Sequence, residues 1–302
     1  MSRRIAIITD DPGWHGARLR EAFARRDCHS EFVSLKQCGF DLSGDGPGLV
    51  IPGFDALPDG VFVRGVPGGS LEQVVFYLDL LHALRRLGVY VYNNAGAIER
   101  SVDKGMTSFL LHSAGIATPP SWVLSENADL SQLLERELGA GHELVYKPLF
   151  GSQGEGLLRI RQAGDLPVLE ACNGVYYLQR FIPTAAEKTH DWRVFVINGQ
   201  AVAAMRRYSR DWICNVAQGG DCRPAVLDAP LRKLAEAAVA ELEMDYAGVD
   251  IMRDRKGAPY VIEVNSIPAW KGLQQVCSVD ITSLLVDDFL RCCQNAPLME
   301  VV

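Results

Sequence analysis

The chain of 302 residues is long enough for two or three small domains, and its 48% hydrophobic and 22% charged residues exclude a disordered protein. The net charge of −7 argues against nucleic acid as a partner, because proteins that bind a polyanion usually carry a basic excess. The apolar run Ile5–Ile8 is too short for a signal-peptide core, and no stretch is apolar for long enough to cross a membrane. The sequence therefore predicts a cytoplasmic protein.

The eight cysteines do not indicate a metal site or a disulfide framework. No two of them form a Cys-x-x-Cys pair, and the histidines are scattered, so the spacing of a zinc site is missing. We interpret the cysteines as buried small apolar residues or surface thiols in a reducing compartment.

The first third of the chain alternates short apolar strands with amphipathic helices. Strands are predicted at Arg4–Thr9, Glu31–Leu35, Leu49–Ile51, Val61–Val66 and Val89–Tyr92, and helices at Trp14–Arg26 and Leu71–Leu87. This alternation predicts a small parallel-sheet α/β domain over residues 1–94. Polar turn residues at Asn93-Asn94-Ala95-Gly96 mark its end.

The rest of the chain is predicted as α+β, with closely spaced strands after Pro148. The predicted helices are Lys104–Gly115, Leu130–Leu138 and Ala229–Met244. The predicted strands are Ser121–Leu124, Glu143–Lys147, Leu157–Arg161, Val175–Ile182, Trp192–Ile197, Gln200–Arg207, Gly248–Met252 and Pro259–Val264. We predict a central domain over residues 95–183 and a C-terminal domain over residues 184–302.

A glycine-rich segment follows the strand that ends in Tyr146-Lys147-Pro148. It reads Gly151-Ser152-Gln153-Gly154-Glu155-Gly156, which is neither the dinucleotide fingerprint nor the Walker loop. Such a segment can turn its N–H groups toward phosphate oxygens, although a simple glycine hairpin would also explain it. Lys147 favours phosphate binding, because an ammonium in an apolar strand is costly to bury without an anion.

Two later strands carry acidic residues within apolar sequence. Glu263 and Asn265 are two residues apart, so they face the same side of their strand, and Asp250 can meet them across the hairpin. Two carboxylates and a carboxamide oxygen suit magnesium, a cation that prefers oxygen ligands. The alternative is that Asp250 and Glu263 are surface acids paired with lysine or arginine. The apolar surroundings favour the metal site.

The order of these motifs resembles the ATP-grasp superfamily, and most closely its RimK-like branch of glutamate ligases. The resemblance covers roughly residues 95–293 and rests on many ordered motifs, each of which alone is only a hypothesis. It implies an ATP-grasp fold preceded by the small α/β domain. Trp270 and Lys271, on the expected substrate side, indicate an acceptor different from that of the ribosomal-protein ligase of this family.

The resemblance also implies a set of site residues. The implied nucleotide contacts are Lys104, Lys147, Gly151, Ser152, Gln153, Gly154, Gln179, Arg180, Phe181, Ile182, Asp191 and Asn215. The implied metal ligands are Asp250, Glu263 and Asn265. Arg193 and Arg207, which singly would pass for surface salt-bridge residues, become candidates for stabilising the acyl phosphate and the tetrahedral intermediate.

The implied activity is that of an ATP-dependent carboxylate–amine ligase, with ATP and Mg²⁺ (or Mn²⁺) as cofactors. A carboxylate would attack the γ-phosphoryl group, and an amine would then displace phosphate from the acyl phosphate. The preferred reaction is addition of L-glutamate to a small-molecule carboxylate of a pterin-type coenzyme. Two alternatives stay open, namely glutamylation of a protein C-terminus and a nucleotide-binding regulatory module without catalysis. Whether the chain forms a homo-oligomer is also open.

Overall fold

A computed structural model describes the following residues of the chain, and every structural statement below concerns them alone: 2–44, 46–151, 155–162, 164–165, 172–185, 189–209, 211–213 and 221–295. They form two four-stranded sheets, a five-stranded sheet and a two-stranded ribbon. Within these ranges every helix is too short or too polar to span a bilayer.

The N-terminal part of the chain folds as a parallel sheet with helices. Its elements are β1 (Arg3–Ile8), α1 (Gly13–Ala24), β2 (Cys28–Val33), the 3₁₀ turn Leu35–Gln37, β3 (Gly39–Phe40), β4 (Leu49–Val50), β5 (Gly60–Val63), α2 (Leu71–Arg86) and β6 (Val91–Tyr92). The sheet order is β2-β1-β5-β6, and all of its strand pairs are parallel. Its central strands are buried, as expected for a sheet covered on both faces.

The middle of the chain forms an antiparallel sheet with three helices. Its elements are α3 (Ala95–Val102), α4 (Lys104–Ser113), β7 (Ser121–Ser125), α5 (Ser131–Gly139), β8 (Leu144–Lys147), β9 (Leu158–Ile160) and β10 (Val175–Arg180). The strand order is β7-β10-β8-β9. This order brings the end of β8 beside β10, with Lys147 opposite Tyr177.

The C-terminal part contains the five-stranded antiparallel sheet. Its elements are β11 (His190–Ile197), β12 (Gln200–Tyr208), β13 (Asp221–Pro224), α6 (Ala229–Glu241), β14 (Tyr246–Arg253), β15 (Pro259–Asn265), α7 (Lys271–Gln274) and α8 (Ile281–Asn295). The order is β13-β12-β11-β14-β15, which places four strands that carry predicted site residues side by side, β12, β11, β14 and β15. The predicted combination of a parallel sheet with antiparallel sheets is confirmed.

The last helix, α8, packs against the N-terminal sheet rather than against the C-terminal sheet alone. The Phe289 ring lies 5.5 Å from that of Phe23 and 5.7 Å from that of Phe62. The Arg26 guanidinium donates to both carboxylate oxygens of Asp287. One hydrophobic core therefore combines residues from both ends of the chain. The predicted boundaries at 94 and 183 stay predictions.

Three helices were not predicted from the sequence: α3, the short α7 and α8. The polar segment before α3 was interpreted as a turn, but the Asn94 side chain accepts a hydrogen bond from the Ala97 N–H at 3.0 Å. Asn94 is thus the N-cap of a helix, a position that favours asparagine for the same reason that turns do.

Candidate active site

A cleft of about 780 Å³ lies among the middle and C-terminal sheets and collects the predicted site residues. All thirteen predicted site residues that the structure describes line it: Lys104, Lys147, Gly151, Gln179, Arg180, Phe181, Ile182, Asp191, Arg193, Arg207, Asp250, Glu263 and Asn265. The remaining four predicted residues lie outside the described residues: Ser152, Gln153, Gly154 and Asn215.

Two lysines bring positive charge to the cleft. Lys147, at the end of β8, is buried, and its Nζ donates to Gln179 Oε1 at 2.7 Å. Burial lowers the pKa of Lys147 to about 8, although the nearby Glu263 opposes this change. Lys104, at the start of α4, donates from Nζ to the Gly151 carbonyl oxygen at 2.8 Å. Neither ammonium forms a salt bridge with a described carboxylate, so both are available to an anion such as a phosphate.

The predicted nucleotide contacts Gln179, Arg180, Phe181 and Ile182 are consecutive, and we call this segment the hinge. Its first two residues use their side chains inside the protein. Gln179 holds the Lys147 ammonium, and its Nε2 donates to Tyr177 Oη at 3.1 Å. The Arg180 guanidinium forms a salt bridge of 2.7 Å with Glu137, which is buried. These contacts fix the strand from which the hinge continues.

The last two hinge residues differ in their backbone contacts. The Phe181 N–H donates to the Glu143 carbonyl oxygen at 2.8 Å, and the Arg159 guanidinium stacks 3.7 Å from the centre of the Phe181 ring. The Ile182 N–H, by contrast, has no hydrogen-bond partner among the described residues. The hinge therefore offers a flat apolar surface and one unused backbone donor, which is what a purine ring requires.

Two arginines and two aspartates form a buried network on adjacent strands of the five-stranded sheet. Arg207 of β12 lies opposite Asp191 of β11 and donates to both oxygens of that carboxylate. Arg193 of β11 lies opposite Asp250 of β14 and is likewise bidentate. Arg207 also contacts Asp250, with 2.9 Å between Nη2 and Oδ2.

This network sets the charge state of its members. Burial would raise the pKa of the Asp250 carboxyl, but Arg193 and Arg207 together lower it. The two carboxylates raise the pKa of Arg207 against the effect of burial. Burial raises the pKa of the Asp191 carboxyl to about 6, against the opposing effect of Arg207. Asp250 and Arg207 therefore stay ionised, as hydrogen-bonded ion pairs in a buried site can. The sequence suggested these residues separately, but it did not show that they share one network.

The predicted metal ligands are brought together as expected. Asp250 and Glu263 are direct partners across β14 and β15. The Glu263 carboxylate makes no hydrogen bond or salt bridge to any described residue. Asn265 donates from Nδ2 to the Gly248 carbonyl oxygen at 3.4 Å, which leaves its Oδ1 as an acceptor.

These donors fit magnesium. They are all oxygens, and two like charges that face each other favour a cation between them. Each carboxylate oxygen has two acceptor positions, so Asp250 can bind its arginines and a cation together. No group of three histidine, cysteine, aspartate or glutamate residues gathers anywhere in the described ranges. The carboxamide oxygen of Asn265 is the third donor of the predicted set.

The cleft also contains residues that the sequence did not single out as site residues. They include His15, Glu155, Trp212 and Gln275. Lys271, which the sequence placed on the substrate side, also lines the cleft. His15 belongs to α1, far along the chain from the other cleft residues, and no local pattern marks it. Trp212 lies with its ring 6.3 Å from that of Phe181, which extends the apolar surface at the hinge.

The sequence is similar to those of known proteins over most of its length. A family model described as the RimK-like ATP-grasp domain matches residues 101–289. A probable alpha-L-glutamate ligase of Parasynechococcus marenigrum (strain WH8102) is 32% identical over 296 residues, which cover 95% of this chain. The chain spans only 62% of the length of that relative. The tetrahydromethanopterin:alpha-L-glutamate ligase of Methanococcus maripaludis is 33% identical over 236 residues, which cover 76% of this chain and 78% of the relative.

A solved structure gives the same fold. The ATP-grasp ligase PsnB, complexed with a phosphomimetic variant of a minimal precursor, Mg and ADP, superposes with a TM-score of 0.73 at 19% sequence identity. The superposition covers 96% of this chain and 98% of that chain. An identity this low supports the fold alone. Together the comparisons confirm the predicted ATP-grasp fold and, at the level of the family, the predicted ligase class.

Proposed function

The chain belongs to the RimK-like ATP-grasp family, and from this premise we propose that it is an ATP- and magnesium-dependent ligase that joins a carboxylate to an amine. The observation that carries the proposal is the cleft itself. It places two lysines that have no carboxylate partner among the described residues, an oxygen-only donor set, the buried Arg207 and the part-buried Arg193 around one space. Enzymes that transfer a phosphoryl group from a nucleoside triphosphate use groups of each of these kinds to hold the phosphates and the metal ion.

The nucleotide would lie between the hinge and the lysines. The Ile182 N–H is the unused donor for an adenine ring nitrogen, and Phe181 supplies an apolar surface. Lys147 and Lys104 would hold the phosphate oxygens. Contact with a phosphate would compensate the free-energy cost of burying the Lys147 ammonium. Gln179 reduces this cost only in part, because its Oε1 is a neutral acceptor.

Asp250, Glu263 and Asn265 would hold magnesium. When bound, the ion neutralises phosphate charge that builds up during phosphoryl transfer. Glu263 is the member of this set whose carboxylate has no other partner among the described residues, so metal binding depends most directly on it.

Arg193 and Arg207 would stabilise the reacting groups. In the first step a substrate carboxylate oxygen attacks the γ-phosphorus of ATP, the bond to the β,γ-bridging oxygen breaks, and ADP leaves. In the second step an amine attacks the acyl carbon, the bond from that carbon to the phosphate oxygen breaks, and inorganic phosphate and a proton are released. Both guanidinium groups are fixed by carboxylates, so they need little reorganisation as negative charge develops.

We further propose that the amine is L-glutamate and that the acceptor is the carboxylate of a small molecule of the pterin-coenzyme type. The names of the similar proteins support this choice. They are alpha-L-glutamate ligases, and one is named for its action on tetrahydromethanopterin. A cytoplasmic location is part of the same proposal.

The test is to incubate purified protein with ATP, Mg²⁺ and isotopically labelled glutamate in a small-molecule extract. Mass spectrometry then follows labelled conjugates, and a coupled assay follows ADP. We expect a labelled conjugate and stoichiometric ADP with the wild-type protein and with Lys233→Ala, an exposed site on α6. Glu263→Gln should abolish both products.

The other outcomes separate the alternatives. ADP without a labelled small molecule would contradict the proposed acceptor and would direct the search to labelled proteins. Nucleotide binding without either product, in the presence of the extract, would contradict the ligase and favour a regulatory module.

A further inference from the structure

One cationic part of the cleft has no role in the chemistry described above. His15, Lys271 and Gln275 line it, and Arg64 lies against its wall. It is assembled from the N-terminal part of the chain and from the segment that follows β15. Arg64 follows the carboxyl end of β5, and His15 lies in α1, which follows the carboxyl end of β1. This edge of a parallel sheet is where ligands of α/β folds bind.

Arg64 is a half-buried cation that has no carboxylate partner in the described part of the chain. Its Nη1 makes one long hydrogen bond of 3.4 Å to the Ile267 carbonyl oxygen, and its Cζ lies 5.3 Å from the centre of the Trp270 ring. Its Nε is buried and has no hydrogen-bond partner among the described residues. Burial lowers the pKa of Arg64, and Asp11 opposes this effect without coming within salt-bridge distance.

Arg64 differs from the two arginines of the buried network in its carboxylate partners. Arg193 and Arg207 are each neutralised by a bidentate aspartate. Arg64 keeps an uncompensated charge in a partly desolvated position, which is costly unless an anion binds there. Because the Arg64 side chain is part-exposed, its terminal nitrogens, and not the buried Nε, are the groups suited to donate to a carboxylate.

Lys271 adds a second charge at the same place. It lines the cleft, and both its charge and that of Arg64 act on the His15 imidazole. Burial and these two cations lower the pKa of His15 to about 4, so the ring is neutral at pH 7. His15 Nε2 accepts from the backbone N–H groups of Trp270, at 3.1 Å, and Lys271, at 3.3 Å. His15 thus fixes the Lys271 backbone and does not compete for an anion.

We infer that Arg64 and Lys271 bind a carboxylate of a substrate that does not take part in the reaction. This inference rests on the proposed ligase function, in which glutamate brings two carboxylates and reacts through its amine. An acceptor that already carries a glutamate would bring a further one. Both sources present the same chemistry, and the site would set the orientation of whichever substrate supplies it.

The test uses the conjugate assay of the proposed function with Lys271→Ala, Arg64→Gln, Arg64→Lys and the control Lys233→Ala. Glutamate is titrated at a fixed amount of extract, and the extract is titrated at saturating glutamate. We expect one of the two apparent KM values to rise about tenfold or more in Lys271→Ala and Arg64→Gln, the effect of losing a charged hydrogen bond. Arg64→Lys should recover part of the loss, and the affinity for a non-hydrolysable ATP analogue should stay unchanged.

The titration that changes identifies the source of the carboxylate. Lys271 is exposed, so its replacement should not impair folding. The Lys271→Ala variant therefore decides whether this site binds a substrate carboxylate. Both apparent KM values within about twofold of wild type in Lys271→Ala would overturn the inference, since a rim charge without function contributes little.

A wild-type protein that forms no conjugate would contradict the proposed function, but it would leave the anion site to be tested directly. Calorimetric titration with glutarate, a dicarboxylate probe, then decides. Binding that is lost in Lys271→Ala supports the site, whereas absent or unchanged binding overturns it.

Discussion

Asp250 and Glu263 face each other across β14 and β15, yet only Asp250 is held by arginines. This asymmetry predicts different results for two isosteric substitutions. Asp250→Asn leaves Arg193 without a carboxylate partner and Arg207 with Asp191 alone, so we expect the free energy of unfolding to fall by about 3–5 kcal/mol. Glu263→Gln removes a carboxylate without a salt bridge, and the change should stay below about 1 kcal/mol.

Urea unfolding measures both values, and magnesium titration of ADP formation measures function. Both variants should lose at least about a hundredfold in magnesium-dependent activity, as expected when charge stabilisation at the phosphates is removed. Equal loss of stability in the two variants would contradict the structural role assigned to Asp250.

The bidentate pair of Arg207 and Asp191 gives the second prediction. Arg207→Lys keeps the charge but cannot reproduce the planar fork that contacts both carboxylates. We expect kcat to fall by about a hundredfold, while the affinity for a non-hydrolysable ATP analogue changes by less than about threefold.

The neighbouring residue on β12 supplies the matched control. Arg206 points to the opposite face of the strand, where its guanidinium lies 5.1 Å from the centre of the Trp192 ring. Arg206→Lys should therefore keep its turnover. Full turnover in Arg207→Lys, measured by steady-state ADP release, would exclude a catalytic role for the Arg207 guanidinium.

Much of the active site was predictable from the sequence because its residues stand out against their local pattern. Lys147 interrupts an apolar strand, and Asp250 and Glu263 interrupt a buried hairpin. Strand periodicity then fixes which side chains share a face. The resemblance to a family supplied the hinge and the order of the motifs, which periodicity alone does not give.

Other parts of the site depend on contacts between distant segments. His15 hydrogen-bonds to the backbone at Trp270, 255 positions away, and Arg64 contacts Ile267 across 203 positions. Nothing near either residue in the sequence indicates these contacts. The network of Arg193 and Asp250 was likewise hidden, because the pairing of β11 with β14 skips two strands. Strand order is a tertiary property, and local propensity does not encode it.

The third prediction concerns the pH dependence of nucleotide binding. The pKa of Lys147 is lowered to about 8, chiefly by burial, so the ammonium is charged below this pH and neutral above it. A phosphate contact needs the charged form, hence ATP affinity should be constant near pH 7 and fall above pH 8. The decline can reach about tenfold per pH unit until the pKa of the bound state is passed.

Fluorescence or calorimetric titration with a non-hydrolysable ATP analogue measures this decline. The titration covers pH 6.5 to about 9.5, an interval that includes the lowered pKa of a buried lysine. Lys147→Arg stays charged throughout and should show a flat profile, whatever its absolute affinity. A wild-type profile without decline above pH 8 would show that Lys147 does not contact the phosphates.

The fourth prediction concerns stability and a buried acid outside the cleft. Asp245 accepts a hydrogen bond from the Tyr90 hydroxyl, and burial raises the pKa of its carboxyl to about 6. The folded state therefore binds more protons than the unfolded state between about pH 4 and 6, so this group favours folding at low pH and loses that contribution as the pH rises through 6. At pH 7.5 the buried carboxylate opposes folding.

Asp245→Asn keeps an oxygen acceptor for Tyr90 and removes the charge, so the variant should be more stable than wild type at pH 7.5 by about 2 kcal/mol. The difference should shrink toward zero at pH 4, where the wild-type carboxyl is protonated in the fold. Thermal unfolding at several pH values measures it, and comparison of the two proteins cancels the other acids that titrate in the same range. A variant that is less stable than wild type at pH 7.5 would contradict this prediction. It would mean that the charged hydrogen bond to Tyr90 outweighs the desolvation of Asp245, so that the ionised carboxylate stabilises the fold.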